Sequence, residues 1–548
     1  MEACNRGGNA GNSCIVIDGF RLSLAEVVRV ASGVPGYSID LPKEARIRMA
    51  GSVNTKDRLI SAKFPIYGTT TGFGDSSGRR VRLDKITALQ RNLLRFLRVG
   101  TGSMAPLDVI RAAMIIRANC AARGNSGIRE DPIILLLDLL ERDILPVIPE
   151  RGSVGASGDL APLSYLAAVL TGEGMVYHQG AELSAADALA ANNLQPVELL
   201  AKEGLALVNG TSFMAAYAAL AFTEASKLAW VTELCTSFAT ELRHGSRDQF
   251  APFPHLHKPH PGQITSATNI FELLTGSLLT VSDSNLTAPF VRSGQAYLEL
   301  ECRIQDPYSI RCAPHVIGVL RDTMTWVEQW LTNEINSSND NPLFDVENDL
   351  VYNSGNFYGG HVAHAAQALT SAVASVADLL DRQLALLVDD KFNLGLTPNL
   401  IAHLDPEDPN AGVHHGFKGA QIAASALTAE ALHLTLPAGS FSRSTEAHNQ
   451  DKVSMGTIAA RHARTATELA SEVAAIHLLA LCQAAELVGP NQLGKATSRV
   501  YRYIRSKFPP VDQDRPLDAE VRSVGLLIRS GALQQETVGD GRETLATT

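Results

Sequence analysis

Two stretches of this chain, His364–Asp390 and Thr457–Val488, contain neither proline nor glycine, and the second is rich in alanine. A third, Phe213–His244, is apolar or small on nearly every side at first. It then narrows to the stripe Leu228, Val231, Leu234, Cys235, Phe238 and Leu242. Helices this long and this poor in charge have no polar face to show to water. They must be covered by other helices, and alanine lets the axes approach closely. The constraint selects a mainly α fold with a long central helical bundle, joined to a smaller, mixed, loop-rich N-terminal part.

Other signals place the boundaries. Residues 1–20 read as a disordered tail, although Cys14–Asp18 has the composition of a short strand. Ser23 with Glu26 has the spacing of a capping box at a helix start. The segment around Gln179-Gly180 reads as a hairpin, and Ser184 with Asp187 as a second helix start. The expected division is an N-terminal domain over 21–210, a long-helix core over 211–505, and a linker with a terminal helix over 506–548. No fixed-period repeat is present.

Composition narrows the class. Hydrophobic residues make up 45% of the 548 and charged residues 19%, which excludes wholesale disorder. A net charge of −10 argues against a nucleic-acid partner. The seven cysteines form no CxxC pair, which fits a reducing compartment. The most apolar long stretch, Val473–Val488, is interrupted by His477, Gln483 and Glu486, so no membrane span is expected and a cytoplasmic location is. His255, His257 and His260 suggest a metal, but three prolines interrupt the stretch and no carboxylate is near, so none is expected.

The most unusual stretch is Arg151–Leu163, RGSVGASGDLAPL, with glycines at 152, 155 and 158 around Ala156-Ser157. It is not a nucleophile elbow, because Gly158 follows Ser157 directly. It is neither a dinucleotide fingerprint nor a P-loop. From spacing alone it is a glycine-rich turn before a helix over Leu160–Leu170.

The longer segment GSVGASGDLAPLSYLA resembles the one that forms 4-methylidene-imidazol-5-one (MIO) in the aromatic amino acid lyases. These comprise the histidine, phenylalanine and tyrosine ammonia-lyases and related aminomutases. In that family the Gly nitrogen attacks the Ala carbonyl carbon, two waters leave, and the Ser side chain becomes an exocyclic methylene. Carried onto this chain, the group forms from Ala156, Ser157 and Gly158, with no external cofactor. Further segments resemble the family in order: FPIYGTTTGFG with Tyr67, LALVNGT with Asn209, and QDPYSIRCAP with Gln305, Tyr308 and Arg311. NSSNDNP with Asn341, GNF with Phe357, FKG with Lys418, and FSRSTEAHNQD with Glu446 and Gln450 follow.

The resemblance implies a role for each, with Gln305, Phe357, Lys418 and Gln450 among the substrate-binding residues. Tyr67 is the base for the β-proton, which requires a phenol acidified by positive potential or donated hydrogen bonds. Tyr308 assists proton transfer, and Glu446 attends the substrate amine. Arg311 clamps the carboxylate in a bidentate fork. Asn209 and Asn341 hold carboxylate and MIO oxygens. The Gly/Thr/Ser-rich run after Tyr67 reads as a mobile lid. A homotetramer with composite active sites is implied as well.

Ring choice rests on LQRNLLRFLRVGTG, where the resemblance places the deciding pair at Phe96-Leu97. Histidine-acting relatives carry Ser-His there and tyrosine-preferring ones His-Leu. An apolar pair leaves an imidazole without partners at about 1–3 kcal/mol per buried polar atom. The expectation is a phenylalanine ammonia-lyase producing trans-cinnamate and ammonia. A phenylalanine 2,3-aminomutase, or a tyrosine or histidine lyase, remains the alternative on the same scaffold. A helical scaffold protein is the non-enzymatic alternative. Thr69 and Asp75, in the Tyr67 loop, depart from the family pattern and leave the lyase-or-mutase choice open.

Overall fold

The computed structural model describes residues 13–285, 290–300, 304–402 and 405–537. It is mainly α, as the long breaker-free stretches require. The longest helices are Ser212–Leu242, Ala313–Ile335, Gly360–Val388 and Gly456–Val488. The last is long and apolar enough to cross a membrane. In the structure, however, 78% of its most apolar window is buried inside the protein.

The chain forms two compact units. The first comprises 1–223, 327–367 and 436–464; the second comprises 224–326, 368–435 and 465–548. These units are interleaved along the chain, a different kind of division from the consecutive domains 21–210 and 211–505 expected from sequence. Four of the five borders between them fall within long helices, where no linker composition marks them; the fifth, at 435/436, follows the helix Lys418–His433.

In the first unit, strand Ser13–Val16 pairs in parallel with Tyr37–Asp40. Order therefore begins by Ser13, inside the stretch read as a disordered tail; residues 1–12 lie outside the described residues. Cys14 is disulfide-bonded, whereas the cysteine pattern pointed to a reducing compartment; Cys120, Cys235, Cys312 and Cys482 are free. The capping box forms: Ser23 Oγ accepts from Glu26 N at 3.2 Å, and Glu26 Oε2 accepts from Ser23 N at 2.8 Å. The hairpin Met175–His178 with Ala181–Ser184 turns on Gln179 and Gly180, both at positive φ, the primed-turn geometry that matches strand twist.

In the second unit, buried polar pairs register the helices. Arg321 holds fully buried Glu233 through two bonds of 2.6 and 2.8 Å. Gln383 Nε2 donates to Thr236 Oγ1 and to the Ser309 carbonyl. Both ring nitrogens of His255 are engaged, by the Gln249 carbonyl and by Gln263, which gives that part of the histidine-rich stretch a structural role. Beyond residue 508 two short helices follow, Asp518–Ser530 and Ala532–Thr537.

Candidate active site

A cavity of about 730 Å³ opens within the first unit. Its wall brings together Tyr67, Phe96, Leu97, Ala156, Ser157, Asn209, Asn341, Phe357, Glu446 and Gln450, which are spread over nearly 400 positions of sequence.

The backbone at 155–158 is folded tightly. Gly155, Ser157 and Gly158 all have positive φ, at 72°, 52° and 75°. Serine in this region carries strain of about 1–2 kcal/mol. Gly158 is obligatory for space as well: a Cβ there would sit 2.1 Å from the Gly210 carbonyl oxygen. The Ser157 carbonyl accepts from Asn209 Nδ2 at 2.8 Å and from Gly210 N at 3.3 Å. Two donors thus draw electron density from the carbonyl next to the serine side chain. These features fit an imidazolone closed from 156–158: a tight turn, an attacking nitrogen on a residue without Cβ, and donors on the Ser157 carbonyl that acidify the serine Cα–H lost when its hydroxyl leaves.

Behind the turn lies Asp159, which the sequence reading passed over as an ordinary helix start. It is fully buried and does not cap its own helix. Its carboxylate accepts from Met214 N at 2.8 Å, Thr457 Oγ1 at 2.5 Å and Ser153 Oγ at 3.4 Å. Burial outweighs these bonds and pushes its pKa up to about 6. An aspartate directly after the glycine, opening a helix whose only polar side chains are Ser164 and Tyr165, is the one sequence signal that marks it.

Tyr67 sits opposite on a loop knitted by threonine hydroxyls. Thr70 Oγ1 accepts from Ile66 N at 2.8 Å and Thr71 Oγ1 from Gly68 N at 3.2 Å. Thr69, Thr70 and Thr71 are buried, so the lid reading narrows to the more exposed Asp75–Arg80. The phenol oxygen accepts from Gly74 N at 2.9 Å. Burial nonetheless holds the Tyr67 pKa above the usual value; the Gly74 bond offsets part of this, and the Glu446 charge adds to it. The acidified phenol expected from sequence is therefore not produced by this unit's own groups.

Glu446 arrives on a strained turn. Glu446, Ala447 and His448 are consecutive non-glycine residues at φ 51°, 50° and 67°. The turn is closed by mutual main-chain bonds between Thr445 and Gln450. Strain of this kind persists where surroundings over-determine it. Here Glu446 Oε1 accepts from Asp75 N at 3.0 Å, and its carboxylate fills the place where a Cβ on Gly74 would go, 2.2 Å away. Gly74 is thus glycine for both space and φ (+55°), and its neighbourhood couples base and carboxylate.

The ring-facing wall is apolar. Phe96 and Leu97 end the helix Ile86–Leu97, Leu93 lies one turn earlier, and the Phe73 ring stands 6.5 Å from that of Phe96. Phe73, Leu93, Leu160 and Leu205 line the cavity and were not singled out from sequence. Gln305, Tyr308, Arg311 and Lys418 are not among the lining residues; all four belong to the second unit. There Gln305, Tyr308 and Lys418 are exposed, Tyr308 at 73%. Arg311 Nε donates to the Asp306 carbonyl, and its guanidinium lies 4.6 Å from the Tyr308 ring centre.

A family model described as aromatic amino acid lyase matches residues 22–506. A histidine ammonia-lyase from Myxococcus xanthus is 37% identical, over 95% of this chain and 97% of its own length. A solved tyrosine aminomutase from Streptomyces globisporus superposes with a TM-score of 0.89 at 34% identity, covering 96% of this chain and 98% of that one. A solved phenylalanine aminomutase from Pantoea agglomerans gives 0.86 at 32% identity, covering 95% and 99%.

Proposed function

Because this chain belongs to the aromatic amino acid lyase family, we propose that it removes ammonia from L-phenylalanine to give trans-cinnamate. The observation that carries the reading is one cavity in which Tyr67, the 156–158 turn and Glu446 share a wall with Phe73, Leu93, Phe96 and Leu97. An imidazole against that apolar surface has no partner for its ring nitrogens. Rejection of tyrosine is softer, because an apolar pocket excludes an added hydroxyl by only about a hundredfold.

The MIO group formed from Ala156-Ser157-Gly158 supplies an electron-poor double bond that no ordinary side chain offers. Asn209 Nδ2 and Gly210 N hold the Ser157 carbonyl, so charge drawn toward that oxygen is stabilised by donors already in place. Tyr67 Oη is the acceptor for the β-proton, and the Gly74 N–H steadies the phenolate. Glu446, fixed by the Asp75 N–H, takes the amine side. The cation that the carboxylate and the phenolate both require is Arg311. In this reading Gln305, Tyr308, Arg311 and Lys418 complete the site within a homotetramer; the exposure of Tyr308 supports it.

A second reading, a phenylalanine 2,3-aminomutase, is favoured by the similarity to two solved aminomutases and by the tightly bonded Thr69–Thr71 loop, which would retain an unsaturated acid long enough for amine to return. Incubation with L-phenylalanine, L-tyrosine and L-histidine separately decides. Cinnamate and ammonia from the first support the lyase, and mainly β-phenylalanine supports the mutase. Preferential turnover of histidine refutes both. Intact mass should be two waters short of the encoded chain, and Ser157→Ala should restore one full-length mass while abolishing turnover.

A further inference from the structure

We infer that Gln90 is a positioning residue for the proposed elimination: one side-chain amide fastens the loop that presents Tyr67 to the helix that ends in Asn209. The inference rests on the proposed function for its kinetic consequences, but the coupling itself is a matter of geometry.

Gln90 lies on the helix Ile86–Leu97 and is fully buried. Its Nε2 donates to the Gly68 carbonyl at 2.8 Å, and its Oε1 accepts from Leu205 N at 3.1 Å. Only one orientation of the amide satisfies both partners. Gly68 directly follows Tyr67. Leu205 N is one of the unpaired N–H groups in the first turn of the helix Glu203–Val208, whose N-cap Lys202 gives no side-chain cap. That helix has six residues, too few to hold itself in place, and its C-cap is Asn209, about one turn beyond the Gln90 bond. Contact is close as well: a Cβ on Gly204 would meet the Gln90 carbonyl oxygen at 3.0 Å and its Oε1 at 3.1 Å. Gln90 also stands six and seven positions before Phe96 and Leu97 on the same helix. The base loop, the carbonyl-holding asparagine and the ring wall therefore take their register from one amide.

Two substitutions separate the halves of this link. Gln90→Glu keeps an acceptor for Leu205 N but, when ionised, sets a carboxylate oxygen against the Gly68 carbonyl. Gln90→Met keeps the length and removes both bonds. With L-phenylalanine, each should lower kcat by about 10- to 100-fold, the penalty of misplacing a reacting group by about an ångström. KM should change less than kcat, and the rising limb of the kcat–pH profile should move to higher pH as the Gly74–Tyr67 bond loosens. Intact mass should still be two waters short. A lower melting temperature with unchanged kcat and unchanged pH limb reduces Gln90 to a packing residue and overturns the inference. Hydrogen exchange is independent of the reaction catalysed: amides of 67–74 should exchange faster in both variants, and unchanged protection overturns the coupling. If wild-type protein leaves all three amino acids intact while exchange still quickens, the functional reading fails and the link stands.

Discussion

Replacing Asp159 by asparagine should change how stability depends on pH by an amount the structure sets. The carboxyl is fully buried, and its pKa rises from 3.8 to about 6 because burial outweighs the hydrogen bonds donated to it. The native state thus keeps a proton that the unfolded chain gives up between about pH 4 and pH 6. Its stabilising contribution is complete below pH 3.8 and is lost as pH rises through about 6. Two units at about 1.4 kcal/mol each give about 3 kcal/mol. Asp159→Asn has nothing to titrate, so this fall disappears. The pH-independent cost should be small, because the Thr457 hydroxyl that now donates to Asp159 can turn to accept from an amide, leaving an oxygen for Met214 N. Urea unfolding of both proteins at pH 4, 5, 6 and 7 measures the difference directly, and everything common to both cancels. Relative to the variant, wild type should lose about 2.4 kcal/mol of this contribution from pH 4 to pH 7, because the unfolded carboxyl is already more than half ionised at pH 4. A constant difference across that range would show that the carboxyl ionises at its ordinary value, and the account of the polar floor beneath 156–158 would be wrong.

Gly74→Ala should lower kcat at least about tenfold while costing only about 1–2 kcal/mol of stability, the strain of a left-handed alanine, since the group displaced is the flexible end of Glu446; steady-state kinetics beside urea unfolding test this, and wild-type kcat would sink it. Phe96→His should raise the kcat/KM ratio of tyrosine over phenylalanine by about 10- to 100-fold, because a hydroxyl gains a partner; an unchanged ratio would separate Phe96 from ring selection. His477→Leu should stabilise the protein by about 1–2 kcal/mol at pH 7, since neither ring nitrogen of this buried residue has a hydrogen-bond partner among the described residues. The gain should grow toward pH 5: burial holds His477 at about 3, so wild type loses stability as the unfolded imidazole charges below about 6.5. Equal unfolding midpoints at both pH values would contradict that.

Helical class was legible because periodicity and the absence of breakers act locally: a run such as Thr457–Val488 has no other way to satisfy its backbone and hide its side chains. The same holds for the Ser23–Glu26 cap and the Gln179-Gly180 turn, whose partners lie within a few residues. The 156–158 turn could be located because glycine spacing and motif order survive without knowledge of three-dimensional neighbours. What surrounds it could not. That Gly158 needs its missing Cβ because of Gly210, that Asp159 turns away from its own helix toward Met214 and Thr457, and that Gln90 answers both Gly68 and Leu205 are facts about residues dozens to hundreds of positions apart. The Tyr67 environment shows the division most sharply. Sequence supplied the phenol, but burial and the Glu446 charge decided the direction of its pKa, and both depend on where the 446–448 turn folds back. Local pattern specifies which groups a chain offers; desolvation and charge act through space, and only the folded chain sets those distances.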